Sequence, residues 1–590
     1  MSGRALARTK VSRRKAMGVH YTPPLLAEFL ARRLIPFVAP RLNEPLRVLD
    51  PACGDGVLLE SVLTALREGG IDPGGIVGIE ADEGALCAGR FRLSRFGEVR
   101  CDLIEGDFLE LVSTSDPQAH LWVSDPAVPA LARGFDVIIA NPPYVRTQVL
   151  GAARAQRLAF RFGLAGRVDL YHAFLVAATE SLRPGGVLGI IISNRFLTTL
   201  GGSMIRRYLA QHYDVREVID LGDTKLFEAA VLPAIFIGCR RTEDGSFAVR
   251  PGARFVRVYS DVGSGSDEPI KLTPDKGIID ILSHGEPGRY RAREGPFEVT
   301  SGELVLGQNA AEVWSLITAE EREWVDRVRA ASCGVFGDVS AVRVGIKTTA
   351  DDVFIRSDWN ELPAEMRPEP ELLRPLLGHE DACRWTLPRG AKPSAKVLYT
   401  HEVMNGCRRA IDLRKYPRAR AYLEAHRDRL ERRHYVLEAG REWYEIWVPQ
   451  DPAAWIVPKI VFPDISPGPR FYLDVGGNIV DGDSYWITPA PRAPSDALYL
   501  LLGVANSKLM ARFHDLAFNN RLYSGRRRYI TQYVGKYPYP SPGTPAAREL
   551  ISLVRQAVRN GGSESGASRV PMLEARIDAL VEVCFGTATA

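Results

Sequence analysis

The first 240 residues alternate short apolar runs with longer amphipathic stretches. Apolar runs followed by a polar residue or a turn occur at 47–50, 76–80, 104–108, 135–140 and 187–192. Short apolar runs separated by helical patterns are typical of βα repeats around a buried, mostly parallel sheet. Two more strands, at 215–220 and 234–238, complete a predicted doubly wound α/β fold with a mixed seven-stranded sheet. We expect the last strand to be its antiparallel edge.

One strand ends in an unusual turn. The run Phe135–Ala140 leads directly into Asn141-Pro142-Pro143-Tyr144. Two prolines fix two φ angles, so the Asn141 amide and the Pro142 carbonyl are held stiffly at the carboxyl end of the strand, where ligands bind in open α/β sheets. Side by side, they form a double acceptor suited to an –NH₂ group, and Tyr144 offers a flat ring for a planar base.

Three other strand ends carry acids in order along the chain. Asp50 precedes a turn with two glycines, Gly54 and Gly56, which lacks the full spacing of a pyrophosphate loop. The acids beside this turn suit a ligand with a cationic amino-acid end. Glu80 has the spacing of a carboxylate that binds ribose hydroxyls. Asp107 with Phe108 can bond an adenine amino group and cover its face.

Upstream, Thr22-Pro23-Pro24 begins a predicted helix with Thr22 as its N-cap. Together with the strand ends, residues 17–240 resemble the TaqI-like, gamma-ordered DNA adenine-N6 methyltransferases of restriction–modification systems. The resemblance implies a class I methyltransferase fold and S-adenosylmethionine as methyl donor. By the same resemblance, Glu80 approaches the ribose of the donor and Asp107 with Phe108 its adenine. Its methionine end would be approached by Thr22, Asp50, Ala52, Cys53 and Gly54.

The resemblance also implies the acceptor side. Asn141 and Pro142 would bind the N6 amine of an adenine that has left the duplex, and Tyr144 would stack on the base. The type member of the family has a second stacking aromatic, whose position here corresponds to Gly202. Phe196 lies nearby in sequence and is a candidate substitute. His172 is expected to cap or pack a helix in preference to acting as a catalytic base.

The second half combines cations with aromatics. Pieces of 336–545 resemble the C-terminal specificity domain of the same family, an α+β target-recognition domain. One cluster there lacks acids and favours contact with duplex DNA: Arg521, Tyr523, Arg526, Arg527 and Arg528. A second arginine run, between Arg418 and Arg433, is equally consistent with a solvated helix paired with Glu424, Asp428 and Glu431.

Composition excludes some classes of protein. The 590-residue chain has a net charge of +4, which permits a polyanionic partner without requiring one. Its eight cysteines show no zinc-ligand spacing, so we expect reduced thiols and no structural metal. No apolar run reaches the length of a membrane span, and we expect a cytoplasmic protein without membrane contact.

The predicted order is a basic flexible arm at 1–16, a methyltransferase domain at 17–240, a connector or small β-rich insertion at 241–335, the target-recognition domain at 336–545 and a helical tail at 546–590. No nuclease motif is evident, so DNA cleavage would require a separate restriction endonuclease. Two alternatives stay open: a protein glutamine-N5 methyltransferase, which also modifies a planar amide, and a non-catalytic DNA specificity subunit. Cytosine-N4 methylation is disfavoured because Ser usually replaces Asn141 in that group.

Overall fold

A computed structural model describes most of the chain. The described residues are 21–39, 44–113, 134–144, 152–164, 169–227, 232–242, 252–261, 269–284, 286–306, 309, 312–388, 390–494, 496–519, 521–562 and 568–587. The predicted basic arm at 1–16 lies outside them. The chain divides into two units, Met1–Ala319 with Leu522–Gly525, and Glu320–Arg521 with Arg526–Ala590.

The first unit is built on one large sheet. Its strands are β1 (Leu46–Asp50), β2 (Pro73–Glu80), β3 (Arg100–Glu105), β4 (Phe135–Ala140), β5 (Leu182–Ser193), β6 (Tyr213–Asp220), β7 (Pro233–Arg240), β8 (Arg254–Ser260), β9 (Ile270–Leu272), β10 (Gly288–Ala292) and β11 (Gly295–Glu303). Its helices are α1 (Pro24–Leu34), α2 (Val57–Glu68), α3 (Glu83–Leu93), α4 (Phe108–Ser113), α5 (Ala152–Arg161), α6 (Leu170–Ser181), α7 (Arg195–Thr198), α8 (Ser203–His212) and α9 (Ile278–His284).

The strand order is β3-β2-β1-β4-β5-β7-β6-β8-β11-β10-β9. The first five strands in this order, β3, β2, β1, β4 and β5, run parallel to one another. Strand β7 runs antiparallel to both of its neighbours, β5 and β6. The expected antiparallel strand is therefore present, but it lies inside the sheet and not at its edge. The sheet also has eleven strands where seven were predicted, because the segment assigned as a connector supplies β8 to β11.

Both faces of the sheet are buried at its centre, which explains why a central strand such as β4 is almost continuously apolar. Val137 and Ile139 of β4 face one core, which α1 and α2 cover, whereas Ile138 faces a second core with α6 and α8. Successive residues of a strand point to opposite faces, so one apolar run contributes to both layers. The predicted arrangement of helices on both sides is present in this part of the sheet.

The second unit contains several small sheets. Its strands are β12 (Gly334–Val335), β13 (Ser340–Val344), β14 (Ile355–Arg356), β15 (Leu373–Leu377), β16 (Trp385–Thr386), β17 (Ala395–Leu398), β18 (His401–Met404), β19 (Cys407–Ala410), β20 (Lys459–Pro463), β21 (Ile465–Ser466), β22 (Tyr472–Asp474), β23 (Ile479–Val480), β24 (Ser484–Pro489), β25 (Arg527–Arg528) and β26 (Pro538–Tyr539). Five of them form the largest sheet, in the order β13-β24-β20-β22-β16.

Helices surround these sheets. They are α10 (Ala319–Ala330), α11 (Phe336–Val339), α12 (Asp351–Phe354), α13 (Pro417–Ala425), α14 (Arg427–Glu431), α15 (His434–Glu438), α16 (Ala497–Asn506), α17 (Lys508–Phe518), α18 (Thr531–Val534), α19 (Pro545–Gly561) and α20 (Val570–Cys584). The predicted tail is part of this unit. Trp385 donates from Nε1 to Glu574 Oε1 of α20 over 2.7 Å, and Arg384 pairs with the same carboxylate at 3.0 Å.

Candidate functional site

The Asn141 amide sits at the carboxyl end of β4 and is held from outside the sheet. Its Nδ2 donates a hydrogen bond of 3.0 Å to Thr22 Oγ1, and both side chains are buried. The N-cap of α1 is Pro23, and no side chain caps this helix, so the prediction of Thr22 as N-cap was wrong by one residue. The Thr22 hydroxyl bonds Asn141 instead. Because the amide nitrogen is turned toward Thr22, the amide oxygen is directed to the other side of the group.

Asp50 ends the neighbouring strand, since β1 and β4 pair in parallel. Its side chain is completely buried, and Oδ1 accepts one hydrogen bond, from the Ala52 amide at 3.0 Å. Within the described part of the chain, Oδ2 has no hydrogen-bond partner. Burial, with a smaller contribution from Glu80, raises the pKa of Asp50 to about 8. A buried carboxylate with an unused oxygen is suited to a cationic ligand.

The turn after β1 brings backbone close to this carboxylate. Gly54 and Gly56 have φ angles of +52° and +80°, which side chains rarely adopt. A Cβ on Gly54 would also lie 3.3 Å from the ring of Tyr21, so the ring covers the turn. Cys53 is buried, and burial first, then Asp50 and Glu80, raises the pKa of its thiol. The thiol is therefore protonated and unsuited to nucleophilic attack.

Glu80, at the end of β2, fixes the same turn. Its two carboxylate oxygens accept from the Gly54 and Asp82 amides, each at 2.9 Å. The predicted acids at the ends of β1 and β2 are thereby brought to one region of the sheet edge. Tyr21 belongs to this region too, although the sequence argument did not single it out. Its position next to Thr22, which the sequence placed in the donor site, was the available signal.

Asp107 and Phe108 follow β3. Asp107 Oδ1 accepts from the Leu109 amide at 3.0 Å, and Oδ2 pairs with Arg154 of α5 at 2.5 Å. Phe108 is almost completely buried, 5.7 Å from the ring of Phe174. In this structure Phe108 thus packs in the core, and Arg154 is a partner of Asp107 that the sequence did not predict.

Aromatic side chains surround the turn after β4. Tyr144 is half-buried, and burial first and Tyr171 second raise the pKa of its phenol, so the group stays neutral. His172 is buried 4.3 Å from the Tyr171 ring in an edge-on arrangement. Burial lowers the pKa of His172 to about 4, and the imidazole is uncharged at neutral pH. These groups supply shape and aromatic surface without fixed charge.

A buried polar network lies at the ends of β5 and β6 and was missed by the sequence argument. Asn194 Nδ2 donates to Asp220 Oδ1 at 3.1 Å, and Tyr259 donates to Asp220 Oδ2 at 2.7 Å. The Gly222 amide also donates to Asp220 Oδ1, at 3.0 Å. Four polar groups are satisfied together, which fixes the loops that follow both strands.

Neither candidate for a second stacking aromatic fits that role here. A Cβ on Gly202 would lie 2.5 Å from the Phe196 carbonyl oxygen, so this position excludes any side chain without movement of the backbone. Phe196 is completely buried and packs edge-on against Trp314 at 5.9 Å. The glycine is therefore explained by close packing, and Phe196 belongs to the core.

The predicted DNA-binding cluster is largely neutralised within the protein. Arg521 and Arg527 both pair with Asp515, at 3.1 and 2.6 Å, and Arg528 pairs with Asp464 at 3.2 Å. The stretch itself contains no acid, as its sequence indicated, but α17 and the end of β20 provide the counter-charges.

The remaining members of the cluster differ from one another. Arg526 is exposed and no ion pair is recorded for it among the described residues. Tyr523 lies in Leu522–Gly525, which groups with the first unit, and burial first and Asp223 second raise its pKa to about 12. Arg526 therefore keeps the charge and exposure expected of a phosphate contact.

The second arginine run, between Arg418 and Arg433, forms ion pairs within the protein, in line with the alternative of a solvated helix. Arg420 pairs with Glu424 and Arg427 with Glu431, at 2.8 and 2.7 Å, one helical turn apart. Arg433 is buried and donates to the carbonyl oxygens of Thr348, Trp443 and Glu445. This residue fixes three backbone segments and is not available to a ligand.

No group of three His, Cys, Asp or Glu side chains in the described ranges is arranged to hold a metal ion. The eight cysteines are free thiols. No described helix combines the length and apolar content needed to cross a membrane.

Comparisons with known proteins agree with the site. Residues 98–227, which include Asp107 and Asn141, match the Eco57I restriction-modification methylase family model. Among solved structures, the chain is similar in fold to a nuclease-deletion mutant of the Type ISP restriction-modification enzyme LlaGI. The TM-score is 0.52 at 12% identity, over 92% of this chain and 47% of that one.

Two relatives match nearly end to end. The chain is 42% identical to Type II methyltransferase M.BanIII of Aneurinibacillus aneurinilyticus, over 97% of this chain and 98% of the relative. It is 26% identical to Type II methyltransferase M.BstVI of Geobacillus stearothermophilus, over 89% and 90%. Both units are covered by the first match. The chain therefore belongs to the Type II methyltransferases of restriction–modification systems.

Proposed function

We propose that the chain transfers a methyl group from S-adenosylmethionine to the N6 amine of adenine at a specific site in duplex DNA. The observation that carries the proposal is the pair of buried polar groups at the ends of adjacent strands. Asn141, oriented by Thr22, is an amide acceptor, and Asp50 on the next strand is an incompletely bonded carboxylate. One suits a planar amine and the other a cationic amino acid.

The donor site would be formed by the turn after β1 and the ends of β2 and β3. Asp50 would take the ammonium group, and the backbone at Ala52, Cys53 and Gly54 would line the methionine end. Glu80 would contact ribose hydroxyls through lone pairs left by its two backbone partners. Asp107 would accept from the adenine amino group in place of Arg154. The bound donor supplies a methyl group on a positively charged sulfur.

The chain's own residues prepare the acceptor. An adenine N6 amine is a weak nucleophile, because its lone pair is delocalised into the ring. Hydrogen bonds from the amine to Asn141 Oδ1 and the Pro142 carbonyl favour a tetrahedral nitrogen with its lone pair directed at the methyl group. Rate enhancement then comes from orientation and fixed dipoles in a site shielded from water. No nucleophile of the protein is required, in agreement with the protonated Cys53 thiol.

The base must leave the duplex to reach this turn, and Tyr144 would stack on it after flipping. Uncharged neighbours such as His172 suit a neutral aromatic ring. The match to a Type II methyltransferase over 97% of the chain favours DNA over a protein glutamine as acceptor. The same match, which includes the complete donor site, also argues against a non-catalytic specificity subunit. DNA cleavage would be the task of a separate endonuclease.

The test is transfer of tritiated methyl from S-adenosylmethionine to plasmid DNA, with the modified base identified after hydrolysis. We expect N6-methyladenine with the wild-type chain, and a loss in kcat of about 10²–10³-fold for Asn141→Ala, typical for removal of one oriented hydrogen-bonding group. Donor affinity, measured by calorimetry, should be unchanged. Label in protein alone, or in cytosine, would contradict the proposal.

Thr22→Val is the matched variant. It keeps the shape of the side chain and removes the hydroxyl that orients the Asn141 amide. A smaller loss, about tenfold or 1.4 kcal/mol, is expected, because the acceptor remains but is less well aimed. A Thr22→Val variant as inactive as Asn141→Ala would show that Thr22 does more than orient the amide.

A further inference from the structure

A two-stranded ribbon in the second unit has no assigned role. Strands β18 and β19 pair only with each other among the described strands, through His401↔Ala410, Glu402↔Arg409, Val403↔Arg408 and Met404↔Cys407. Asn405 and Gly406 close the ribbon with φ angles of +53° and +73°, as in a type I′ turn. We call residues 401–410 the ribbon.

Both faces of the ribbon are in solvent. Every residue from Val403 to Arg409 is exposed, and the side chains of Val403 and Met404 keep 44% and 39% of their accessible surface. Consecutive residues in a strand point to opposite faces, so both faces of the ribbon carry exposed side chains. An isolated two-stranded hairpin has marginal stability in water. Its persistence here requires support from its base.

The base is clamped by buried side chains. His401 Nε2 lies 3.1 Å from Glu445 Oε2, and Thr400 Oγ1 donates to the Tyr444 carbonyl at 3.0 Å. On the other strand, Tyr444 donates from its hydroxyl to the Ile411 carbonyl at 2.8 Å. Further out, Arg408 donates to the Gln450 carbonyl at 3.1 Å. The unit thus holds a projecting element firmly while leaving its outer two-thirds uncovered.

We propose that the ribbon enters the major groove of the DNA substrate and contributes to recognition of the target sequence. The major groove of B-DNA admits a two-stranded β-ribbon, whose side chains can reach base edges and phosphates. The ribbon carries Arg408 and Arg409 against one acid, Glu402. Arginines bind guanine edges or phosphates, while Val403 and Met404 suit thymine methyl groups. This inference rests on the proposed function, since it takes DNA as the substrate.

The same features disfavour a protein partner. The core of a protein–protein interface is apolar and depleted in charged residues. In the ribbon, the two exposed apolar side chains at 403 and 404 point to opposite faces, and Arg408 and Arg409 lie beside them. A negatively charged groove therefore matches the ribbon better than an apolar protein surface.

The test uses two variants of the full chain. The first deletes Val403, Met404, Cys407 and Arg408, so that the Asn405-Gly406 turn closes on Glu402 and Arg409, which already face each other. The second is Arg408→Ala with Arg409→Ala. The control, Arg329→Ala with Arg420→Ala, removes two exposed arginines of the same unit that pair on their own helices. Methylated positions are mapped by sequencing across fragmented genomic DNA, and donor affinity is measured by calorimetry.

We expect the shortened ribbon to lower methylation at wild-type sites at least a hundredfold with unchanged donor affinity. The double arginine variant should lower the salt dependence of DNA binding by about two ion equivalents, and the control should leave sites and rates unchanged. If both ribbon variants methylate the same sites at rates within threefold of wild type, the inference is overturned, and a protein partner becomes the explanation for the exposed ribbon. If the wild-type chain transfers no methyl group to DNA, the proposed function fails as well, which separates the two results.

Discussion

Two buried aspartates, one in each unit, differ in how their charge is satisfied. Asp50 in the first unit is completely buried, accepts one backbone hydrogen bond and has its pKa raised to about 8. Asp515 in the second unit accepts four hydrogen bonds from Arg521 and Arg527. Burial alone would raise the pKa of Asp515, but the two arginines outweigh it and the pKa is lowered.

The difference separates a ligand site from a structural ion pair. A buried carboxylate whose charge is neutralised by cations of the same protein stabilises the fold only while those partners are present. One that is buried with an unused oxygen costs free energy until a cation arrives from outside. The unsatisfied group fits the proposed donor site, whereas the satisfied triad holds the loop that follows α17.

The largest effect is expected for Asp515→Ala. Removal of the carboxylate leaves two partly buried guanidinium groups without a counter-charge, and breaking such a pair typically costs about 3–5 kcal/mol. Urea unfolding followed by tryptophan fluorescence measures the change in free energy. Glu424→Ala, which breaks an exposed pair with Arg420, is the control and should cost less than about 1 kcal/mol. Equal losses of unfolding free energy for the two variants would show that the buried triad is no more stabilising than an exposed ion pair.

A smaller effect is expected for Asp50→Asn, measured as donor affinity. Loss of a buried charge partner should weaken S-adenosylmethionine binding by about 2 kcal/mol or more, which is about thirtyfold. Because the raised pKa keeps Asp50 protonated at neutral pH, binding of the ammonium group should release a proton. Calorimetry near pH 6.5 in two buffers of different ionisation enthalpy should detect nearly one proton for wild type and none for Asp50→Asn.

In the absence of the donor, we expect Asp50→Asn to increase the stability of the protein, although it weakens donor binding. A carboxyl whose folded pKa is raised loses stabilising free energy as the pH increases from its ordinary value through about 8. Asp50→Asn should therefore unfold at a higher temperature than wild type at pH 8, with little difference at pH 4. A variant that is less stable at both pH values would show that Asp50 has a structural partner.

The smallest effect is expected for Arg526→Ala, next to the Asp515 triad. The side chain is exposed, so the free energy of unfolding should change by less than about 0.5 kcal/mol. If Arg526 contacts a phosphate, the slope of DNA affinity against salt should fall by about one ion equivalent. Arg527→Ala, which breaks the triad, should instead destabilise the protein. An unchanged salt slope for Arg526→Ala would exclude Arg526, the remaining candidate of the predicted cluster, as a phosphate contact.

Much of the candidate site could be predicted because its residues are placed by strand ends. A parallel sheet brings the carboxyl ends of neighbouring strands to one edge, so the order of Asp50, Glu80 and Asn141 along the chain was enough to bring them together. The Asn-Pro-Pro turn was equally informative, since proline restricts the backbone without help from tertiary contacts.

Partners that lie outside a motif could not be predicted from the motif alone. The basic cluster at 521–528 has no acid in sequence, and its counter-charges Asp515 and Asp464 are supplied by other elements. The same reason applies to Arg154 beside Asp107 and to Gly202, whose neighbour across the turn leaves no room for a side chain. A β-rich insertion was one expectation for 241–335, but that β8 to β11 extend the main sheet was not predicted, because glycine- and serine-rich stretches conceal the bounds and pairing of strands.

The pairing of early and late residues in the second unit has a consequence for synthesis. Cys333 contacts Tyr539 across 206 residues, and Trp385 contacts Glu574 across 189. At 5–20 residues per second, a ribosome needs roughly 10–40 s to supply those partners. The large sheet of the first unit is complete in sequence at Glu303. A nascent chain will therefore hold the folded sheet of the first unit before the carboxyl-terminal partners of the second unit have been synthesised. During this interval the apolar strands of the second unit lack their partners, and a chaperone would matter most.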